Sequence, residues 1–275
     1  MSDEKAVAEH YASDDIAGRI LAALRAAGGD ADSPTPADLA PLDQFHGRGI
    51  EATREIGELL QPKAEEHGLD IGCGIGGPAR WLAWTYGCRI TGIDLTPAFC
   101  DAGVALTGAC GLSDQVEIRQ ASALALPFDD AGFDFAYSQN VVMNIADKAG
   151  FHAEATRVLK PGGRLALSNL CLGPGGAPHY PVPWAETPDT SFLNTPEETL
   201  AVLGAAGLEV LEFRDTSEDS KRGFAQMRER IQREGPPKLS TVTLMGDRMR
   251  QMQRNTARNV EEGRVIPVEI LCRRR

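Results

Sequence analysis

The chain has 275 residues, 42% of them hydrophobic and 24% charged, enough to bury a sizeable core in one globular unit with a small appendage. Its net charge of −11, from 28 basic and 39 acidic side chains, argues against a nucleic-acid partner, and the arginines from Arg248 to Arg275 read as a solvated helix face and tail. No apolar run approaches the roughly 18 residues of a membrane span, the opening Met1-Ser2-Asp3-Glu4-Lys5 has no secretory pattern, and the six cysteines form no C-x-x-C pair, so a cytoplasmic protein with reduced thiols and no metal site is expected.

In chain order, Asp14-Asp15 precede an amphipathic stripe of Ile16, Ile20, Leu21 and Leu24, which Gly28-Gly29 ends. After a polar linker, Thr35-Pro36-Ala37-Asp38 reads as an N-cap with proline at the first helical position. Leu39 to Leu60 is then largely helical, broken at Phe45-His46-Gly47-Arg48-Gly49 and closed by Pro62. From about residue 67 short apolar strands alternate with helices, the pattern of a parallel sheet with helical crossovers. Strands are expected near 68–71, 89–94, 116–119, 133–138, 164–170, 207–213 and 265–272. Helices are expected near 78–86, 97–110, 147–159, 196–206, 218–234 and 240–262. The stretch 173–184 is too rich in Gly and Pro for regular structure, and a loop of that length in a compact domain is often functional.

The chemistry-bearing feature is Asp70-Ile71-Gly72-Cys73-Gly74-Ile75-Gly76-Gly77, a strand entering a glycine turn that opens a helix. Gly72, Gly74 and Gly77 also satisfy the dinucleotide fingerprint, with Asp94, 22 residues after Gly72, as its ribose acid, so the glycines admit two cofactors. Asp70 separates them. A carboxylate at the strand end repels a pyrophosphate and attracts the ammonium and sulfonium of S-adenosylmethionine. Pro78 removes an N–H that a pyrophosphate would use. Downstream, Asp94 ends a strand and can accept from both ribose hydroxyls, Ala121-Ser122-Ala123 offers an adenine site, and the fourth strand opens onto Gln139-Asn140.

From about 64 to 172 the sequence resembles the class I S-adenosylmethionine-dependent methyltransferases. The resemblance rests on Asp70-x-Gly72-x-Gly74-x-Gly76, Asp94, Leu126-Pro127-Phe128 and Leu159-Lys160-Pro161-Gly162-Gly163-Arg164-Leu165 in that order. It implies an α/β, Rossmann-like fold: a seven-stranded, mostly parallel sheet with an antiparallel last strand, helices on both faces and an N-terminal helical cap. On this reading residues 1–62 form the cap, and 63–275 form the methyltransferase domain with a helical insertion at about 216–262. It further implies Asp94 on the ribose and a 122–123 turn framing the adenine. Beyond the core, His10-Tyr11, 42–49, 143–147 and 181–184 resemble bacterial sarcosine/dimethylglycine N-methyltransferases. The sequence departs from the family at Gly68, where an apolar residue is usual, at Ser122, where an acid is usual, and at Asn140, where a histidine is common.

The expected cofactor contacts are Tyr11, Gln44, Asp70, Gly72, Cys73, Gly74, Gly76, Asp94, Leu95, Ser122, Ala123 and Gln139. Tyr11, His46, Asn140 and Asn144 are candidates for positioning the acceptor, and Met143, His179, Tyr180 and Trp184 for lining its pocket. The N-terminal helices and the 173–184 loop are expected to close over the acceptor. Methyl transfer from a sulfonium is an in-line displacement, so it needs positioning above all, and a base only if the acceptor arrives protonated. A small amine of the sarcosine kind leads as acceptor, with O- or C-methylation of a natural-product or quinol-like scaffold next and a nicotinamide oxidoreductase as a remote alternative. Arg48 is the nearest candidate for an acceptor carboxylate. The expected assembly is a monomer or homodimer.

Overall fold

A computed structural model describes residues 15–240 and 247–275. Tyr11 lies outside the described residues. Helix α1 (Ile16–Ala26) is capped by the Asp15 side chain, which accepts from the Gly18 N–H. Helix α2 (Pro36–Asp43) opens with a reciprocal capping box between Thr35 and Asp38 and has proline at its start, as its sequence predicts. Helix α3 (Ile50–Leu60) follows the break at 45–49. The apolar faces of α1 and α2 meet Phe99, Ala102 and Leu106 in a buried cluster.

Seven strands follow: β1 (His67–Ile71), β2 (Arg89–Asp94), β3 (Val116–Gln120), β4 (Phe133–Gln139), β5 (Leu159–Leu172), β6 (Leu208–Asp215) and β7 (Val265–Arg274). They form one sheet in the order β3-β2-β1-β4-β5-β7-β6, with β7 antiparallel to both neighbours. The intervening helices are α4 (Gly77–Tyr86), α5 (Pro97–Ala109), α6 (Lys148–Val158), α7 (Pro196–Ala205), α8 (Ser217–Glu234) and α9 (Asp247–Glu261). One face of the sheet buries Leu69, Ile71, Leu165 and Leu167 against α6 and α7; the other buries Ile90, Phe135 and Ala166 against α3 and α4. The chain winds outwards in both directions from β1 and β4. That strand-order reversal leaves a crevice at their carboxyl ends, where ligands of open α/β sheets bind.

Two details differ from expectation for physical reasons. β5 starts five residues earlier than predicted: Leu159 already pairs with Phe133, and 160–163 bulge out before Arg164 pairs with Phe135. Gly68, where the family usually has an apolar residue, leaves no void. The Phe135 ring occupies the space, and a Cβ added at Gly68 would stand 2.2 Å from its Cε2. Stretch 173–184 has neither helix nor strand, but it is tethered: Gly173 and Gly175 donate to the carbonyls of Arg264 and Gly263.

Candidate active site at the carboxyl ends of β1, β2 and β4

Asp94 and Gln139 end β2 and β4, and Asp70, the penultimate residue of β1, pairs with Gly92 and Tyr137, two residues before them; Gln139 pairs with Ser168. Asp70 is 2% exposed, and burial pushes its carboxyl up to about 8; Asp94 adds to the rise and the Tyr137 hydroxyl opposes it. Asp70 Oδ2 and the Tyr137 hydroxyl are buried without a well-formed hydrogen bond. A buried carboxyl oxygen with no donor is an uncompensated cost in this chain, and a cationic ligand would remove it.

The turn that follows is shaped by positive φ angles at Gly72 (82°), Gly74 (54°) and Gly76 (76°). Their surroundings differ. A Cβ at Gly72 would meet Val141 at 2.3 Å, whereas at Gly74 it would meet nothing within 4 Å. Gly74 therefore borders open space. Its N–H donates to Asp94 Oδ2 and the Thr96 N–H to Asp94 Oδ1, both at 2.9 Å, so the acid of β2 is preset by the turn. Burial still raises the Asp94 carboxyl, against those two backbone donors. Each of its oxygens keeps a second lone pair for a hydroxyl donor. Beyond β3, the Ala121 N–H donates to the Asp94 carbonyl, and Ser122 Oγ accepts from the Leu124 N–H at 3.1 Å. An orphaned buried acid, an open glycine and a preset acid on the neighbouring strand fit the ammonium, the chain and the ribose of S-adenosylmethionine.

Over β4 lies a neutral polar group. Gln44 Oε1 accepts from Thr53 Oγ1 at 2.7 Å, and His46 Nε2 stands 3.2 Å from both oxygens. Thr53 Oγ1 is 3.4 Å from Gln139 Oε1, and Gln139 Nε2 is buried without a partner. Burial lowers His46 to about 4, the Gly47 carbonyl opposing and Arg48 assisting, so the ring is neutral at pH 7. Asn140 holds a left-handed backbone (φ 54°) that the Asn140 N–H to Ser168 carbonyl bond secures, and a Cβ on Gly47 would lie 3.8 Å from its Nδ2. Gln44, His46, Gln139 and Asn140 therefore come together, with Thr53 a member that sequence reading missed. One turn into α3, a threonine in a helical run carries no signal of its own.

The other candidates are engaged elsewhere. Asn144 Nδ2 donates to the Trp184 carbonyl at 2.6 Å, and Trp184 Nε1 donates to Ser191 Oγ. Met143 and Trp184 are buried with Leu170, Val182 and Val265, and Tyr180 packs against that cluster. His179 Nε2 is 2.8 Å from Glu262 Oε2, and its backbone is bracketed by Asn259. Arg48 is bound by Glu55 and, at 2.6 Å, by Glu269. Each of these groups ties the 173–184 loop or the 45–49 loop to its neighbours.

Residues 69–167 match the family described as Methyltransferase domain. Methyltransferase GfsG of Streptomyces halstedii is 30% identical over 192 residues, 68% of this chain and 68% of its own. O-methyltransferase resE of Aspergillus sclerotiorum is 38% identical over 168 residues, 59% of this chain and 62% of its own, so the chain spans less than two thirds of that relative. Geranyl diphosphate C-methyltransferase from Streptomyces coelicolor A3(2) shares the fold with a TM-score of 0.73 at 18% identity, covering 100% of this chain and 99% of that one. No helix among the described residues is long and apolar enough to cross a membrane. With the sheet order, the glycine turn between Asp70 and Asp94, and these likenesses together, the chain belongs to the class I S-adenosylmethionine-dependent methyltransferases.

Proposed function

We propose that the protein transfers the methyl group of S-adenosylmethionine to a hydroxyl on an otherwise uncharged small molecule. The observation that carries this acceptor class is the pairing of Arg48 with Glu55 and Glu269. A zwitterionic amine such as sarcosine needs a cation for its carboxylate, and the nearest candidate already holds two carboxylates. What remains over β4 is a group of amides, a hydroxyl and a neutral imidazole, suited to a neutral scaffold.

On this reading Asp70 holds the ammonium group and Asp94 the ribose hydroxyls. Gly72, Cys73, Gly74 and Gly76 let the methionine chain lie against the backbone, while Leu95, Ser122 and Ala123 frame the adenine. When bound, the cofactor supplies a methyl carbon on positive sulfur, and transfer discharges that charge. A site that neutralised the sulfonium strongly would hold the ground state, so neutral groups around the acceptor suit the reaction. Gln139 and Asn140 orient the acceptor, and His46, unprotonated at pH 7, takes its proton.

The test is a product-homocysteine assay over phenols, quinols, sarcosine and dimethylglycine. Turnover of a phenol or quinol with none of the two amines is the expected result. Turnover of sarcosine or dimethylglycine alone would overturn the hydroxyl and restore the amine.

A further inference from the structure

Helix α8 crosses the mouth of the crevice. Because β7 is antiparallel to both β5 and β6, β6 runs with β5 and ends at the same edge of the sheet as β2 and β4. There α8 is fastened: the Thr216 N–H and hydroxyl both donate to the Pro267 carbonyl of β7, and Ser220 is buried one turn later. The other end lies across the sheet. After Gly235-Pro236-Pro237, Leu239 packs on the cap cluster that holds Phe45 and Phe99, just past the end of β2. In the sheet order β6 and β2 are five steps apart, about 24 Å at about 4.8 Å per step. The 18 residues of α8 are about 27 Å long, so the helix reaches over β7, β5, β4 and β1.

The inward face of α8 is apolar where it crosses. At about 100° per residue, Phe224, Met227 and Ile231 fall within about 40° of Ser220, the side chain buried on the body. Lys221 and Arg228 lie about a quarter-turn away, towards α9, where Arg228 pairs with Glu261 at 2.8 Å. Arg222, Arg230 and Arg233 are engaged by Asp219 and Glu234. Along the inward face burial fades with distance from β7: Ser220 is buried, Phe224 half-buried, Met227 48% exposed and Ile231 40% exposed. Met227 and Ile231 stand about 15 and 21 Å along the helix, over β4 and β1. Apolar side chains that turn inward yet stay this exposed border open space, and their position makes that space the crevice.

We propose that Met227 and Ile231 roof the acceptor site, and that the acceptor carries its methylated atom on an apolar body that fills the space beneath them. The identity of that atom as oxygen rests on the hydroxyl-acceptor reading above; the roof does not. A phenol with an alkyl chain or further rings would cover both side chains, whereas sarcosine would leave them in water. The face turns towards the body between two fastened ends, so it is open to a small molecule entering the crevice and not presented to a second copy.

The experiment is calorimetric binding of 4-methylphenol, 4-butylphenol and 4-octylphenol, and of N-methylbutylamine and N-methyloctylamine, to the full-length protein saturated with S-adenosylhomocysteine. Affinity for the phenols should rise at least tenfold from methyl to octyl. Met227→Ser/Ile231→Ser should weaken 4-octylphenol about tenfold more than 4-methylphenol. Met227→Leu/Ile231→Leu should keep the gain with chain length, as should Leu211→Ser, which removes an exposed apolar side chain on β6. Equal losses for the two phenols in the serine variant, or no gain with chain length in either series, would overturn the roof. A gain confined to the amines, and lost in the serine variant, would keep the roof and remove the hydroxyl. A dimer in sedimentation velocity that the serine variant dissociates would put a second copy on this face and overturn the proposal.

Discussion

Binding of S-adenosylmethionine should release a proton, and Asp70 is the source. In the free protein burial pushes the Asp70 carboxyl up to about 8, so at pH 7 most of it is protonated. An ammonium brought beside it favours the carboxylate and drives the value down by opposite-charge attraction. Between about half a proton and one should therefore leave per ligand bound at pH 7. Isothermal titration calorimetry in two buffers of different ionisation enthalpy reads this number as the slope of observed heat against buffer enthalpy. Asp70→Asn keeps the shape, removes the titrating group and should bring the slope close to zero while weakening affinity. A slope of zero in the unmodified protein would mean that Asp70 does not meet the cation. The sign for stability follows from the same shift. A carboxyl whose folded value lies above its unfolded one binds more protons when folded, so its contribution to stability falls as pH rises from about 4 to about 8. Saturating cofactor should offset that loss.

Three further outcomes are expected. Asp94→Ala removes the acid preset by Gly74 and Thr96 and should weaken cofactor affinity at least tenfold, about 1.4 kcal/mol; an unchanged dissociation constant in calorimetry would place the ribose elsewhere. Asp43→Ala leaves fully buried Arg80 without its carboxylate and should cost about 3–5 kcal/mol in urea denaturation, with Asp43→Ala/Arg80→Met recovering much of it; equal losses in the single and double variants would show that the charge is not the cause. Gly68→Ala drives a methyl into the Phe135 ring and should cost about 1–3 kcal/mol by overpacking, a loss that Phe135→Leu in the same chain should reduce.

The sheet was legible because its signals are local and redundant. Strand ends at Asp70 and Asp94, proline starts at Pro36, Pro78 and Pro97, and glycine stops each mark a boundary through backbone chemistry alone. The glycine turn was legible for the same reason. The rest depended on pairings across the chain. Arg80 sits among Ala79, Leu82 and Ala83 on a buried helix face, and nothing in that spacing announces a partner at Asp43, 37 residues earlier. Arg48 looked available because its two carboxylates come from α3 and from β7, the latter 221 residues away. The partners of His179 and Trp184 could not be read because a Gly/Pro-rich loop gives no register; the structure ties their side chains to Glu262 and Ser191. Composition shows that a loop is unusual, but not which surface it lies against.

The glycines of the turn divide the work that the sequence credited to them jointly. Gly72 is needed by Val141 and Gly76 by its left-handed backbone, while Gly77 leaves room for α2: a Cβ there would stand 2.3 Å from the Asp43 carbonyl oxygen and 2.8 Å from Gln44 Nε2. Only at Gly74 and its N–H, fixed on Asp94, does the turn border free space. The G-x-G-x-x-G spacing thus combines one glycine that borders open space with one that docks the cap, which is why it cannot by itself name a cofactor. Docking at Gly77 also brings Asp43 to Arg80 and, through Gln44, to His46. The turn proposed to hold the methyl donor and the histidine proposed to face the acceptor therefore share one buried support, so a displacement of α4 would disturb His46 as well.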